Sequence, residues 1–272
     1  MVDLHTGAAV ITGGASGIGL GLARAALARQ MNVVLSDTNE EQLATTAAAL
    51  RADGGTVTDV VCDVRSADAV ASLREAVLSA YGSVDLVCNN AGVGFAKPIT
   101  DTRAADWDLV LDINVRGVVN GIDAFLPVML EQGHGHLSAT SSLSGLVADP
   151  GLSVYVASKF AVAGIMESLG LELLEQDHNV SASVLCPGPV ATQLIASSTV
   201  ITGSEFGDDV SDYLARGQAP DDVGEMAIAQ IEEGRFWLIT HPELTAGLID
   251  GRIAAMRDGG QLFQPDDVWT EQ

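Results

Sequence analysis

The chain has 272 residues, 47% of them hydrophobic and 18% charged, with a formal net charge of −23. That length and apolar content suit a folded chain with a large core and exclude a disordered or fibrous one. The acidic excess argues against nucleic acid or an anionic membrane as partner, and no membrane span or secretory leader is read, so a soluble cytoplasmic protein is expected.

The first element is AAVIT (8–12), which passes directly into Thr12-Gly13-Gly14-Ala15-Ser16-Gly17-Ile18-Gly19 and a helical stretch at 17–30. Glycines at a strand-to-helix turn let the backbone approach a pyrophosphate, and the helix N-terminus adds free N–H groups and a favourable dipole. Taken alone, the turn is equally an ordinary loop. The second strand, NVVLSD (32–37), ends on Asp37 and leads into a helix at 39–52. A carboxylate there accepts the ribose hydroxyls of an adenosine and repels a 2′-phosphate. Ser16, Ser36 and Thr38 are not basic, so NAD is favoured over NADP. Capping a helix is the plainer role for Asp37.

TVTDVVC (56–62) and SVDLVC (83–88) read as the next strands, on either side of a helix at 66–81. They are followed by Asp63-Val64 and by Asn89-Asn90-Ala91-Gly92, at the strand ends where open parallel sheets bind ligands. A long helix at 104–132 carries Trp107, Leu111, Val118, Ile122 and Phe125 on one stripe, and Asn114 falls on that stripe. A buried amide needs partners, either a local backbone bond or a wider polar network. His134 and His136 flank a glycine and read as turn residues before the strand HLSATS (136–141), which ends at Ser142.

The helix at 154–177 carries Tyr155 and Lys159, one of three tyrosines and one of two lysines in the chain. At i and i+4 they share a face. A phenol ionises near ~10, and a nearby ammonium stabilises the phenolate, which makes the pair usable for acid–base chemistry. The same spacing is common on helices for no chemical reason. VSASVLC (180–186), a helix at 220–233 and RFWLIT (235–240) complete the strand–helix alternation. The segment 190–219 is rich in Gly, Ser, Thr and Asp and suits a lid. Cys62, Cys88 and Cys186 read as small buried hydrophobes, with neither a disulfide framework nor a metal site. The alternation predicts βαβ units in an α/β fold, a parallel sheet covered on both faces within a single domain spanning 1–272.

TGGASGIG, DV, NNAG, the Asn114 helix, SS at 141–142, YVASK and PGPVAT (187–192) together resemble the short-chain dehydrogenase/reductase family, compact single-domain branch. The resemblance runs from the first strand to about residue 192. It implies a Rossmann-type doubly wound sheet of about seven strands in a three-layer α/β/α sandwich. It also implies a tetrad in which Tyr155 is the acid/base and Ser142 holds the substrate oxygen. Lys159 would bind the nicotinamide ribose and tune Tyr155, and Asn114 would hold a relay water. Gly13, Ser16, Gly17, Ile18, Gly19, Asp37, Asp63, Val64, Asn90, Ala91 and Gly92 would bind the cofactor. So would Tyr155, Lys159, Pro187, Gly188, Val190 and Thr192. A homotetramer or homodimer is implied as well.

Val93, Phe95, Leu143, Leu146, Leu152, Leu194 and Ile195 are the substrate-lining candidates. They are apolar and include no arginine, so the expected substrate is an uncharged secondary alcohol or ketone with an aliphatic or aryl body. Alternatives are an epimerase or dehydratase of the same superfamily, or a non-catalytic NAD-binding scaffold. The tail at 241–272 opens as an amphipathic helix, resembling the C-terminal extension of relatives that act on bulky or aryl alcohols; packing between subunits is its other reading.

Overall fold

In the computed structural model, which describes residues 4, 6–176, 178–192, 214–259 and 262–263, seven parallel strands form one sheet. They are β1 (Ala8–Thr12), β2 (Asn32–Asp37), β3 (Val57–Val61), β4 (Leu86–Asn89), β5 (Gly135–Thr140), β6 (Val180–Cys186) and β7 (Trp237–Ile239). The strand order β3-β2-β1-β4-β5-β6-β7 is the doubly wound Rossmann arrangement, with its switch point between β1 and β4. The helices are α1 (Gly17–Ala28), α2 (Glu40–Ala52), α3 (Ala67–Tyr81), α4 (Ala104–Leu111), α5 (Gly117–Gln132), α6 (Ser153–Glu175), α7 (Pro220–Glu232) and α8 (Pro242–Asp258).

The central strands are buried on both faces because their side chains alternate between two separate cores. On β1, Ala9 and Ile11 join the cluster made with α1, α2 and α7, while Ala8 and Val10 join the one made with α3, α5 and α6. Helices α1 and α7 meet at backbone distance: a Cβ on Gly21 would lie 2.1 Å from the Pro220 carbonyl oxygen, and one on Gly224 would lie 2.2 Å from the Gly21 carbonyl carbon. Arg29 bridges the pair through Glu225 and Glu232.

Three sequence expectations change. The helix at 104–132 is interrupted by a π turn over Asp112–Arg116, which contains Asn114. Helix α6 has 23 residues and a window of mean hydropathy 1.3, so it is more apolar than the sequence reading allows. It is a core helix, burying Val154, Val162, Met166 and Leu169. His136 is not a turn residue. It lies in β5 at 1% exposure, while the exposed His134 pairs with Asp85.

The His136 ring lies between Ser181 and Ser183 on β6, 2.8 Å from each hydroxyl, and burial lowers its pKa from 6.5 to about 3. Below pH 6.5 the unfolded chain therefore takes up a proton that the native state refuses. Stability should fall by about 2 kcal/mol between about pH 7 and about pH 5 from this group alone. Urea denaturation of wild type and His136→Gln at both pH values checks this, and the variant should lack that part of the loss.

Candidate active site

The carboxyl ends of β1, β4, β5 and β6 open onto a single cavity of about 660 Å³, which runs from Asp37 past the glycine turn to Tyr155. At the turn, Gly13 and Gly17 have φ of 63° and 54°, in the left-handed region that favours glycine. A Cβ on Gly19 would lie 2.1 Å from the Gly13 carbonyl oxygen, so α1 starts hard against the turn. The N-cap Ser16 makes no side-chain capping bond, and the first turn of α1 carries no acid. The positive end of α1 is thus left for a ligand, whereas α2 and α3 begin with a capping side chain and an acid in the first turn.

Asp37 is held by two backbone donors, the N–H of Ala15 at 3.2 Å and that of Asn39 at 3.1 Å. Its carboxylate lines the cavity with Cys62, Asp63 and Val64. Arg65, which the sequence reading overlooked, lines this end too. Its guanidinium grips Asp63 through both carboxylate oxygens and holds that carboxyl below its ordinary pKa.

Asn90 joins three strand ends. Its amide donates to the Thr12 carbonyl at 3.0 Å, and its amide oxygen accepts from Thr140 at 3.0 Å. The Thr140 carbonyl in turn accepts from Lys159 Nζ at 2.9 Å. Asn114, 1% exposed, takes the Val93 N–H on its amide oxygen at 2.8 Å and donates to the Val93 carbonyl and to Ser158, each at 3.0 Å. Neither partner is local to the helix: the amide clamps a backbone 21 residues away and links to α6, as a wider polar network requires.

Ser142, two residues past β5, caps the short turn Leu143–Gly145 by accepting from the Ser144 N–H at 3.1 Å. Burial pushes the Tyr155 phenol up to about 12, and the neighbouring Ser142 hydroxyl acts in the opposite direction. Lys159 is 4% exposed, and burial brings its ammonium down to about 8. Its Nζ lies 5.5 Å from the centre of the Tyr155 ring. A hydroxyl pair beside a buried cation can hold a substrate oxygen and move its proton.

Gly13, Ser16, Gly17, Ile18, Asp37, Asp63, Val64, Asn90, Ala91 and Gly92 all line the cavity, as do Pro187, Gly188, Val190 and Thr192. Gly19 serves the turn from behind rather than from the lining. Among the substrate candidates, Val93, Phe95, Leu143 and Leu152 line it. Leu146 does not: the turn at 143–145 directs it onto the core beneath the sheet. Leu194 and Ile195, and 193–213 of the expected lid, lie outside the described residues; the ends of that segment meet in a bridge between Val190 and Gln218. Lining residues without a sequence signal are Leu109, Ile113, Val147, Asp149, Leu214 and Leu248.

The turn, the uncapped helix, the acid at the end of β2 and the continuous cavity fit a dinucleotide, whose pyrophosphate the N–H groups of the turn and α1 would hold.

Residues 7–200 match the family model described as short chain dehydrogenase. A putative oxidoreductase, SadH, of Mycobacterium tuberculosis is 38% identical over 72% of this chain and 71% of its own. The 1-deoxy-11-beta-hydroxypentalenate dehydrogenase of Streptomyces exfoliatus is 34% identical over 98% of this chain and 90% of its own. Among solved structures, a short chain dehydrogenase/reductase from Burkholderia phymatum in complex with NAD superposes with a TM-score of 0.93 at 32% identity, covering 97% of this chain and 99% of that one.

Replacing Asn114 with Ala leaves the Val93 N–H and C=O without their partner. The variant should lose about 1–3 kcal/mol in urea denaturation. It should lose kcat as well, because Val93 packs with Tyr155 and Ser158 directly precedes Lys159.

Proposed function

Since the chain belongs to the short-chain dehydrogenase/reductase family, we propose that it is an NAD-dependent oxidoreductase interconverting a secondary alcohol and a ketone, with Tyr155 as acid/base. One observation carries the reading: Ser142, Tyr155 and Lys159 line the same cavity, with the buried Lys159 Nζ 5.5 Å from the centre of the Tyr155 ring. The nicotinamide of a bound cofactor supplies the hydride acceptor or donor. Ser142 fixes the substrate oxygen. Tyr155 takes the hydroxyl proton in oxidation and returns it to the carbonyl oxygen in reduction. Lys159 favours the phenolate through its charge, and its own position is fixed by the Thr140 carbonyl.

The substrate half of the cavity supports an uncharged apolar or aryl substrate. Phe95, Leu152, Val93 and Leu214 form one apolar cluster with Tyr155. Asp149 lines the cavity as well and accepts a hydrogen bond from Ser144. NAD rather than NADP follows from Asp37, because a 2′-phosphate would meet a carboxylate already fixed by two N–H groups.

Tyr155→Phe should lower kcat by about 10²–10⁴ while NADH still binds, as measured by ketone reduction and nicotinamide fluorescence. Retained turnover would refute the assignment of Tyr155. Because the base form of a phenol with raised pKa grows with pH, alcohol oxidation should rise through the alkaline range. Lys159→Met should move that rise to higher pH.

Asp37→Asn keeps an acceptor for Ala15 and removes the charge. It should reduce the preference for NAD over NADP in kcat/KM by about tenfold or more. An unchanged ratio would take Asp37 out of the selection.

A further inference from the structure

Helix α8 begins 42 residues past the family match, which ends at 200, yet it reaches both sides of the proposed site. Its entry is tied to the loop after β6. Thr240 Oγ1 accepts from the Gly188 N–H at 3.2 Å and lies 2.8 Å from His241 Nδ1. The His241 ring packs so closely on Gly188 that a Cβ there would lie 2.6 Å from Nδ1. Farther along the helix, Arg252 donates to the Leu146 carbonyl at 3.1 Å and stands over the Phe160 ring at 4.9 Å. Leu146 closes the turn that starts at Ser142, and Phe160 directly follows Lys159.

Between these two anchors, Leu248 is 6% exposed and lines the cavity. It lies one turn from Arg252 at i and i+4, so the residue that faces the cavity and the residue that ties the helix down share one face. Ile253 and Met256 are exposed, at 44% and 67%. A helix anchored at its start and again at Arg252 cannot easily give way to a larger ligand around Leu248.

We propose that Leu248 is a specificity-determining residue that limits the bulk of the substrate, and that Arg252 is a positioning residue that holds it in place. The proposal rests on the dehydrogenase reading and deepens it. A single methylene in an apolar pocket changes discrimination by about 10–200-fold, so trimming or extending Leu248 should be visible.

The test uses a series of secondary alcohols of increasing bulk, bound to the enzyme–NADH complex and followed by nicotinamide fluorescence, together with steady-state reduction of the matching ketones. Leu248→Ala should shift the ratio of affinities and of kcat/KM toward the bulkier members by about tenfold or more, and Leu248→Phe should shift it the other way. Arg252→Met keeps a chain over Phe160 but loses the donor. It should move the ratio in the direction of Leu248→Ala, Arg252→Lys should restore part of it, and NADH affinity should stay unchanged in all four. Ratios that stay put in both Leu248 variants overturn the proposal, and an unmoved ratio in Arg252→Met removes Arg252 from it. If the alcohols bind with the expected shifts but no ketone is reduced even by wild type, the size limit stands and the dehydrogenase reading falls.

Discussion

The side chain of Asn90 is the joint on which the site depends. A parallel sheet leaves the last carbonyls and N–H groups of its strands without ladder partners at one edge, and that edge is where the ligand must sit. Asn90 satisfies Thr12 on β1 and Thr140 on β5 from its own place after β4. Thr12 Oγ1 completes the joint by accepting the N–H groups of Asn90 and Ala91, each at 3.0 Å. Through the Thr140 carbonyl the chain of bonds continues to Lys159. The glycine turn and Lys159 thus belong to one hydrogen-bonded network.

That network also explains how a lysine and a tyrosine can be kept in poor solvent. Burial alone disfavours both charged forms, which is the direction seen for each: the phenol moves up and the ammonium moves down. Each group on its own is therefore biased toward neutrality. A positive charge nearby reverses the bias for the phenol, and a negative one does so for the amine. In the proposed reaction a charge on either group would assist ionisation of the other, as proton transfer to and from a substrate oxygen requires.

Much of this was legible in the chain. β1 and β2 have the predicted limits, because each is an apolar β-branched run punctuated by glycine or by an acid and a cap. Asn114 was found from its place on an apolar stripe, but the π turn around it was not, since five residues of ordinary helix-forming sequence carry no mark of a changed hydrogen-bond register. Leu146 was misread because a short turn reverses the facing of its neighbours. His136 was misread because it flanks Gly135 together with His134, which suggested a turn, whereas the hydroxyls that receive its ring come from a strand 45 residues away. Leu109, Ile113 and Leu248 reach the cavity from three different helical segments, and only tertiary packing brings them together.

The turn from Thr12 to Gly19 contains no lysine or arginine, in a chain of net charge −23. A pyrophosphate would therefore be retained by short-range N–H dipoles while the long-range field of the protein repels it. Screening weakens the second effect, over a Debye length of about 10 Å at 0.1 M salt, far more than the first. Capture of an anionic dinucleotide should consequently quicken as ionic strength rises, the reverse of what is expected where lysine side chains draw phosphate in.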